Sequence, residues 1–299
     1  MVKVFRVGLL VLLLWLAACN VAGEVTATAV PITPTTPTTS NQQPTTNTPT
    51  PVVLPMATVR GDTAVQYTYR VINSYPHDPT AFTQGLVWDD GTVYEGTGLS
   101  RNYGGISTLR RVDLESGDVL QSINLPDQYF GEGIVVWDER IIQLTWQSHV
   151  GFIYDKTSFE LLEEFSYPTE GWGITHDGEK LIMSDGTDTL YFWNPETLEE
   201  IGRVQVHDEN GPVVRLNELE YINGEVWANV WQTDRIARID PADGRVTGWV
   251  DLTGLLSPAQ RLNHVDVLNG IMVDAGNGRL FVTGKYWPLL FEIEVEPLP

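Results

Sequence analysis

The sequence predicts an all-β domain: a five-bladed β-propeller closed by an N-terminal strand that completes the last blade. Three observations lead there. Five stretches align along the chain, Gln84-Gly-Leu-Val-Trp, Glu132-Gly-Ile-Val-Val, Trp172-Gly-Ile-Thr-His, Glu218-Leu-Glu-Tyr-Ile and Asn269-Gly-Ile-Met-Val, at spacings of 48, 40, 46 and 51 residues. A repeat of that length holding several short strands is the signature of propeller blades. Short apolar runs are broken by Asp90-Gly91, Ser116-Gly117, Asp177-Gly178, Asn223-Gly224 and Asp243-Gly244, dipeptides suited to hairpin turns. From Thr63 onward no segment carries sustained helical periodicity with caps, and a single turn of helix near Ser257 to Gln260 is the one exception expected.

The chain begins outside this pattern. Lys3 and Arg6 accompany an apolar run, Val7 to Leu16, that is short for a membrane span, and Leu16-Ala17-Ala18-Cys19 follows. That motif resembles a bacterial lipobox, in which the peptide is cut before the cysteine. Residues 1–18 are therefore expected to be a lipoprotein signal peptide and Cys19 the lipid-bearing N-terminus, with an ordinary secretory signal or an uncleaved anchor as the alternative. The expected location is extracytoplasmic, lipid-anchored to the bacterial cell membrane. Residues 19–61 are dominated by Thr, Pro, Ala and Val, as in Pro44-Thr-Thr-Asn-Thr-Pro-Thr-Pro51. They lack the large apolar side chains that offset ordering entropy, and prolines hold them extended, so a disordered, semi-stiff linker is expected.

Residues 62–299 are expected to form the propeller. Each aligned stretch is a first strand, followed by a tight turn and a second strand: Thr92-Val-Tyr-Glu, Arg140-Ile-Ile-Gln-Leu, Lys180-Leu-Ile-Met, Glu225-Val-Trp-Ala-Asn and Arg279-Leu-Phe-Val-Thr. An outer hairpin then repeats, beginning at Leu109, Phe152, Leu190 and Ile236. The fifth copy stops at Leu290-Phe-Glu-Ile-Glu-Val and lacks a partner strand. Tyr69-Arg-Val-Ile-Asn-Ser-Tyr-Pro is similar to the segments that end blades one and two, Val119-Leu-Gln-Ser-Ile-Asn-Leu-Pro and Leu162-Glu-Glu-Phe-Ser-Tyr-Pro. It supplies the missing partner and closes the ring with few exposed edges.

Composition narrows the function. With 42% hydrophobic residues and 10 Trp the chain can build a substantial core. A net charge of −21 disfavours nucleic acid and anionic lipid surfaces as partners, so membrane contact is expected only through lipid on Cys19. A lone cysteine makes no intrachain disulfide or Cys-based metal site. His77, His149, His176, His207 and His264 show no short ligand spacing, and there is no GxSxG elbow, phosphate loop or dinucleotide fingerprint. No metal and no cofactor are expected.

In a propeller the first strands line the central channel, so homologous positions converge. The heads of those strands are Gln84, Glu132, Trp172, Glu218 with Asn217 before it, and Asn269. The ends of the second strands, Gly98, Trp146, Gly186, Trp231 and Lys285, fall at the same end because the strands are antiparallel. Flat apolar walls with a few polar groups suit a small amphipathic substrate. Glu132, between Gly131 and Gly133 at a strand start, is the carboxylate hardest to explain as surface polarity.

Several longer motifs carry a family resemblance: Pro76-His-Asp-Pro-Thr-Ala-Phe-Thr-Gln-Gly-Leu86, Tyr129-Phe-Gly-Glu-Gly133, Gly171-Trp-Gly173, Arg215-Leu-Asn-Glu-Leu-Glu-Tyr-Ile-Asn-Gly-Glu-Val-Trp-Ala-Asn229 and Phe281-Val-Thr-Gly-Lys-Tyr-Trp-Pro288. From about Tyr69 to the C-terminus the chain resembles the plant and bacterial glutaminyl-peptide cyclotransferases. The resemblance implies a five-bladed propeller that converts N-terminal glutamine of peptides and proteins into pyroglutamate with release of ammonia. It implies Glu132 as acid and base, Asn217 and Lys285 as polar partners, and Phe82, Gln84, Phe130, Trp146, Trp172 and Trp231 as pocket lining, with Glu218 also expected among the substrate-binding residues. Tyr286 stands as a neutral variation on the pattern. A monomer is expected.

The chemistry needs one carboxylate. The α-amine attacks its own side-chain carboxamide, so ring closure is intramolecular and leaves only proton transfers to arrange. A non-catalytic, lipid-anchored scaffold propeller is the alternative. A metal-dependent propeller lactonase is a second rival that the tryptophans and Lys285 fit poorly.

Overall fold

Twenty-two strands and no helix make up the described part of the protein, a computed structural model that covers residues 63–99, 104–261 and 264–299. The expected signal peptide, Cys19 and the linker through residue 61 lie outside the described residues. Strand β1 (Val65–Pro76) is followed by blade one, β2 (Thr83–Asp89), β3 (Thr92–Thr97), β4 (Thr108–Val112) and β5 (Val119–Asn124). Blade two is β6 (Gly131–Trp137), β7 (Arg140–Thr145), β8 (Val150–Asp155) and β9 (Leu161–Ser166). Blade three is β10 (Ile174–His176), β11 (Leu181–Ser184), β12 (Thr189–Trp193) and β13 (Glu200–Gln205). A small hairpin, β14 (His207–Asp208) and β15 (Gly211–Pro212), comes next. Blade four is β16 (Leu216–Ile222), β17 (Glu225–Val230), β18 (Arg235–Ile239) and β19 (Val246–Asp251), and β20 (Leu268–Asp274), β21 (Arg279–Gly284) and β22 (Leu289–Pro297) begin blade five.

Each blade is an antiparallel meander in chain order. The hairpins follow from their turn chemistry: Asp90-Gly91 and Asn223-Gly224 hold both central residues at positive φ, the left-handed conformation a two-residue turn between twisted strands requires. Burial falls from the inside out. In β6 every residue but Trp137 is buried, whereas β5, β9 and β13 are mostly exposed.

The core is divided among the blade interfaces. Ile134, Ile141 and Phe152 of blade two meet Tyr94 and Leu109 of blade one, and Val135, Ile142 and Leu144 meet Ile174, Leu181 and Met183 of blade three. Ile182 and Leu190 pack on Leu216, Val226 and Ala237; Trp227, Ile236 and Val250 pack on Leu268, Leu280 and Phe291. Met272, Phe281 and Leu290 meet Leu86 and Val93, which brings blade five back to blade one. Both faces of each sheet are therefore apolar, as the strand sequences require.

The closing strand behaves as expected and does more. From Tyr67↔Pro297 to Pro76↔Leu289 β1 pairs antiparallel with β22 and supplies the fourth strand of blade five. Its first residues also pair in parallel with β19, Val65↔Gly248 to Tyr67↔Val250, so β1 joins blades four and five into one eight-stranded sheet. The helical turn expected near Ser257 is instead a hydrogen-bonded turn. The Ser257 carbonyl accepts the Gln260 and Arg261 N–H groups at 3.0 and 3.1 Å, while Gln260 Oε1 takes the Ser257 N–H at 2.9 Å.

Candidate active site

The heads of four inner strands are irregular in the same way. Register shifts fall between Thr83 and Gly85, Gly131 and Ile134, Leu216 and Leu219, and Leu268 and Ile271. A bulge sets extra residues on one strand and re-aims their side chains. The residues so displaced are Gln84, Glu132, Asn217 with Glu218, and Asn269. Backbones then meet close to the axis: Gly133 N–H donates to the Trp172 carbonyl at 2.7 Å, and a β-carbon at Gly133 would stand 2.7 Å from that same oxygen. Only glycine permits this approach.

These elements surround a cavity of about 420 Å³ lined by Phe82, Gln84, Leu99, Phe130, Glu132, Trp146, Trp172, Asn217, Trp231, Gln232, Asp266, Val267 and Lys285. Aromatic side chains form its walls edge to face. Phe82 meets Phe130 at 6.0 Å and 87°, Phe130 meets Trp146 at 5.7 Å and 64°, and Trp172 meets Trp231 at 5.6 Å and 89°. Such contacts fix ring orientation as well as burying area. The two glycines among the second-strand ends make room for these rings. A β-carbon at Gly98 would lie 2.3 Å from Phe130, and one at Gly186, which also has φ +80°, would lie 2.5 Å from the Trp172 ring.

Polar groups converge on the floor. Gln84 Nε2 donates to Glu132 Oε1 at 3.0 Å, and Asn269 Nδ2 donates to Gln84 Oε1 at 3.3 Å and to the Thr83 carbonyl at 3.0 Å. Asn269 thereby sets which way the Gln84 amide faces. Asn217 is 2% exposed, and its Oδ1 has no hydrogen-bond partner among the described residues. Lys285 Nζ lies 4.6 Å from the Phe82 ring centroid, a cation–π contact in a desolvated setting.

Burial drives the Glu132 carboxyl well above the ordinary carboxylate range; the Lys285 ammonium opposes that, and Glu170 adds to it. Burial likewise lowers Lys285 to about 8, against the upward pull of Glu132 and Asp266. A carboxyl raised this way is better able to give a proton as well as take one. Among the described residues no group of three or more His, Cys, Asp or Glu is arranged to hold a metal ion.

The family model for glutamine cyclotransferases matches residues 43–295. A glutaminyl-peptide cyclotransferase of Arabidopsis thaliana is 44% identical over 230 residues, which are 76% of this chain and 71% of the relative. The chain belongs to the glutamine cyclotransferase family. Its fold agrees with that membership: the crystal structure of Myxococcus xanthus glutaminyl cyclase superposes with a TM-score of 0.72 at 38% identity, covering 79% of this chain and 100% of that one.

Of the site residues expected from the cyclotransferase resemblance, Glu132, Asn217, Lys285, Phe82, Gln84, Phe130, Trp146, Trp172 and Trp231 all line the cavity. Glu218 does not. The bulge turns Asn217 into the cavity and leaves the Glu218 carboxyl to accept backbone N–H groups of Leu86 at 3.4 Å and Ile271 at 2.8 Å, on the inner strands of blades one and five. It is a cross-brace of the channel. Tyr286 is more than a neutral variation in this cyclotransferase: its ring packs 5.1 Å from Phe82 at 62°, and its N–H donates to the Ala81 carbonyl at 2.7 Å. Asp266, Gln232, Leu99 and Val267 were not legible as lining, because they lie outside the repeated strand positions.

Proposed function

We propose that this protein is a glutaminyl-peptide cyclotransferase, closing N-terminal glutamine of peptides and proteins to pyroglutamate with release of ammonia. One observation carries the reading: a buried carboxyl, Glu132, held by Gln84 inside an aromatic cavity that also contains a buried ammonium, Lys285. Its neighbours suit the reaction group by group. The α-nitrogen forms the new C–N bond to the side-chain carbonyl carbon, the carboxamide nitrogen leaves as ammonia, and one proton passes from the first nitrogen to the second. Glu132 can accept that proton and return it, because burial raises its affinity for protons well above that of an ordinary carboxylate.

Lys285 supplies positive charge for the carbonyl oxygen as it becomes negative, the kind of preorganised stabilisation that outweighs its cost in a water-poor site. Asn217 takes a different part. An unpartnered buried acceptor calls for a donor, which a substrate N–H supplies. The aromatic walls hold the aliphatic stem of glutamine folded for ring closure. The same reading places the domain on a membrane surface through lipid on Cys19, supported by the Leu16-Ala-Ala-Cys19 motif and by the Pro- and Thr-rich stretch after it.

Glu132→Gln keeps the side-chain volume and the fold, and should lower ammonia release from a Gln-initiated peptide by roughly 10²–10⁴-fold. An Asn-initiated peptide should release none. Turnover by Glu132→Gln at the wild-type rate would remove Glu132 from the mechanism. Absence of ammonia from wild-type protein would favour the scaffold alternative.

A further inference from the structure

Two tryptophan walls of the cavity come from different blades, and a single carboxylate accepts a hydrogen bond from each. Trp146 follows β7 of blade two, and Trp172 precedes β10 of blade three. Glu170 lies on the connection from β9 to β10. Its Oε2 accepts the indole N–H of Trp146 at 2.9 Å and that of Trp172 at 3.0 Å, and its Oε1 accepts Gln147 Nε2 at 2.9 Å. Through Trp146 it reaches Phe130, Phe82 and Tyr286, each edge-on to the next. Through Trp172 it reaches Trp231. One carboxylate thus links two separate ring stacks into a collar around the cavity.

From this geometry we infer that Glu170 is a positioning residue for the cyclisation: it locks the two indole walls at the spacing that folds the glutamine side chain. The inference rests on the cyclotransferase reading of the site. Both indoles present their N–H edge to Glu170, and both line the cavity and meet neighbouring rings. An acceptor shared by two indoles adds to the restraint that ring packing places on the rotation of both, and ties the orientation of one to that of the other.

Glu170 stays ionised. Partial burial pulls its carboxyl upward, but hydrogen bonds from Trp172, Gln147 and Trp146, together with the charge of His149, outweigh that and hold it below the ordinary range.

The test compares Glu170→Ala, which removes acceptor and charge, with Glu170→Gln, which keeps a carbonyl acceptor and removes the charge. Glu170→Ala should raise KM for a Gln-initiated peptide about tenfold with a smaller change in kcat. Glu170→Gln should restore KM to within about threefold of wild type. Near-ultraviolet circular dichroism reads indole geometry without turnover: Glu170→Ala should change it and Glu170→Gln should preserve it. An unchanged KM and unchanged near-ultraviolet spectrum in Glu170→Ala overturns the positioning role. Wild-type protein that releases no ammonia overturns the cyclotransferase reading instead, and the spectra then still decide whether Glu170 holds the indoles.

Discussion

Lys285 and Glu132 share a cavity whose burial works on them in opposite directions. The amine is lowered to about 8 and the carboxyl is raised, because loss of water penalises the charged form of each. If Lys285 must be protonated to face the developing oxyanion, kcat/KM falls as pH rises through about 8. Lys285→Arg retains the charge to much higher pH, so its profile should lose that alkaline limb even where the altered shape lowers the plateau. Lys285→Met should lower kcat/KM by roughly 10²-fold at every pH, as expected for one lost oxyanion partner. An alkaline limb near the same pH in Lys285→Arg would assign it to another group. Nine of the ten binding and catalytic side chains expected on the propeller line the cavity, and the exception shows why. Asn217 and Glu218 are neighbours in sequence, and strand alternation alone predicts opposite faces without saying which residue gets the cavity; a bulge settles it.

At the scale of the element, the loop between β1 and β2 is tied down by a buried ion pair. His77 Nδ1 contacts the Trp287 carbonyl at 2.6 Å and its Nε2 contacts Glu95 Oε1 at 3.0 Å, while Thr83 Oγ1 also donates to Glu95 at 2.8 Å. This couples the loop carrying Phe82 to the hairpin carrying Lys285. Burial disfavours the charged imidazole, but Glu95 and the Trp287 carbonyl outweigh it and leave His77 raised. A raised histidine stabilises the fold fully below its ordinary pKa, and the contribution is lost as pH rises through the raised value. The urea midpoint should therefore decline above about pH 6.5 in wild type, and His77→Gln should flatten part of that decline; parallel curves for the two proteins would refute the coupling. On the opposite wall, Gly186→Ala should displace the Trp172 ring, since its β-carbon falls 2.5 Å from it at φ +80°. A cost of about 1–3 kcal/mol and a raised KM are expected from the clash and the strained backbone, read by urea unfolding and steady-state kinetics.

Across the whole molecule, stability depends on how the ring is sealed and on what sits at its axis. Tyr67 of β1 is 2% exposed within the cluster between blades four and five, and its ring lies 4.5 Å from the Arg238 guanidinium. Tyr67→Ala should cost about 3–5 kcal/mol, whereas Leu120→Ala on the exposed face of β5, 63% accessible, should stay within about 0.5 kcal/mol. Equal effects in chemical unfolding would mean that the seam bears no special load. Along the channel, Glu218 and Glu220 brace the inner strands of blade four to their neighbours: Glu220 Oε1 accepts the Val273 N–H at 3.1 Å, and Thr175 Oγ1 donates to Oε2 at 3.4 Å. Burial raises both carboxyls, Glu220 to about 8. Carboxyls raised on folding stabilise it fully below their ordinary range and lose that contribution as pH rises through the raised values. Glu220→Gln should therefore weaken the fall in thermal midpoint between about pH 5 and pH 8; a fall as steep as wild type would exclude this group as its source.

Strand positions, the number of blades and the closing role of the N-terminal strand were legible in the amino-acid order, since apolar runs, Asp-Gly and Asn-Gly turns and a recurring X-Gly-Ile pattern are local properties that repeat with the architecture. The convergence of Glu132, Gln84, Trp146, Trp172, Trp231 and Lys285 followed from that repeat, because equivalent positions around a ring must face one axis. Other features needed the folded chain. The bulge that separates Asn217 from Glu218, the parallel pairing of Val65 to Tyr67 with β19, and the shared hydrogen bond from two indoles to Glu170 all depend on contacts between blades. Such contacts join residues distant in sequence or break the strand alternation, so no local pattern records them; they arise only when five similar blades pack around a common centre and each meets a different neighbour.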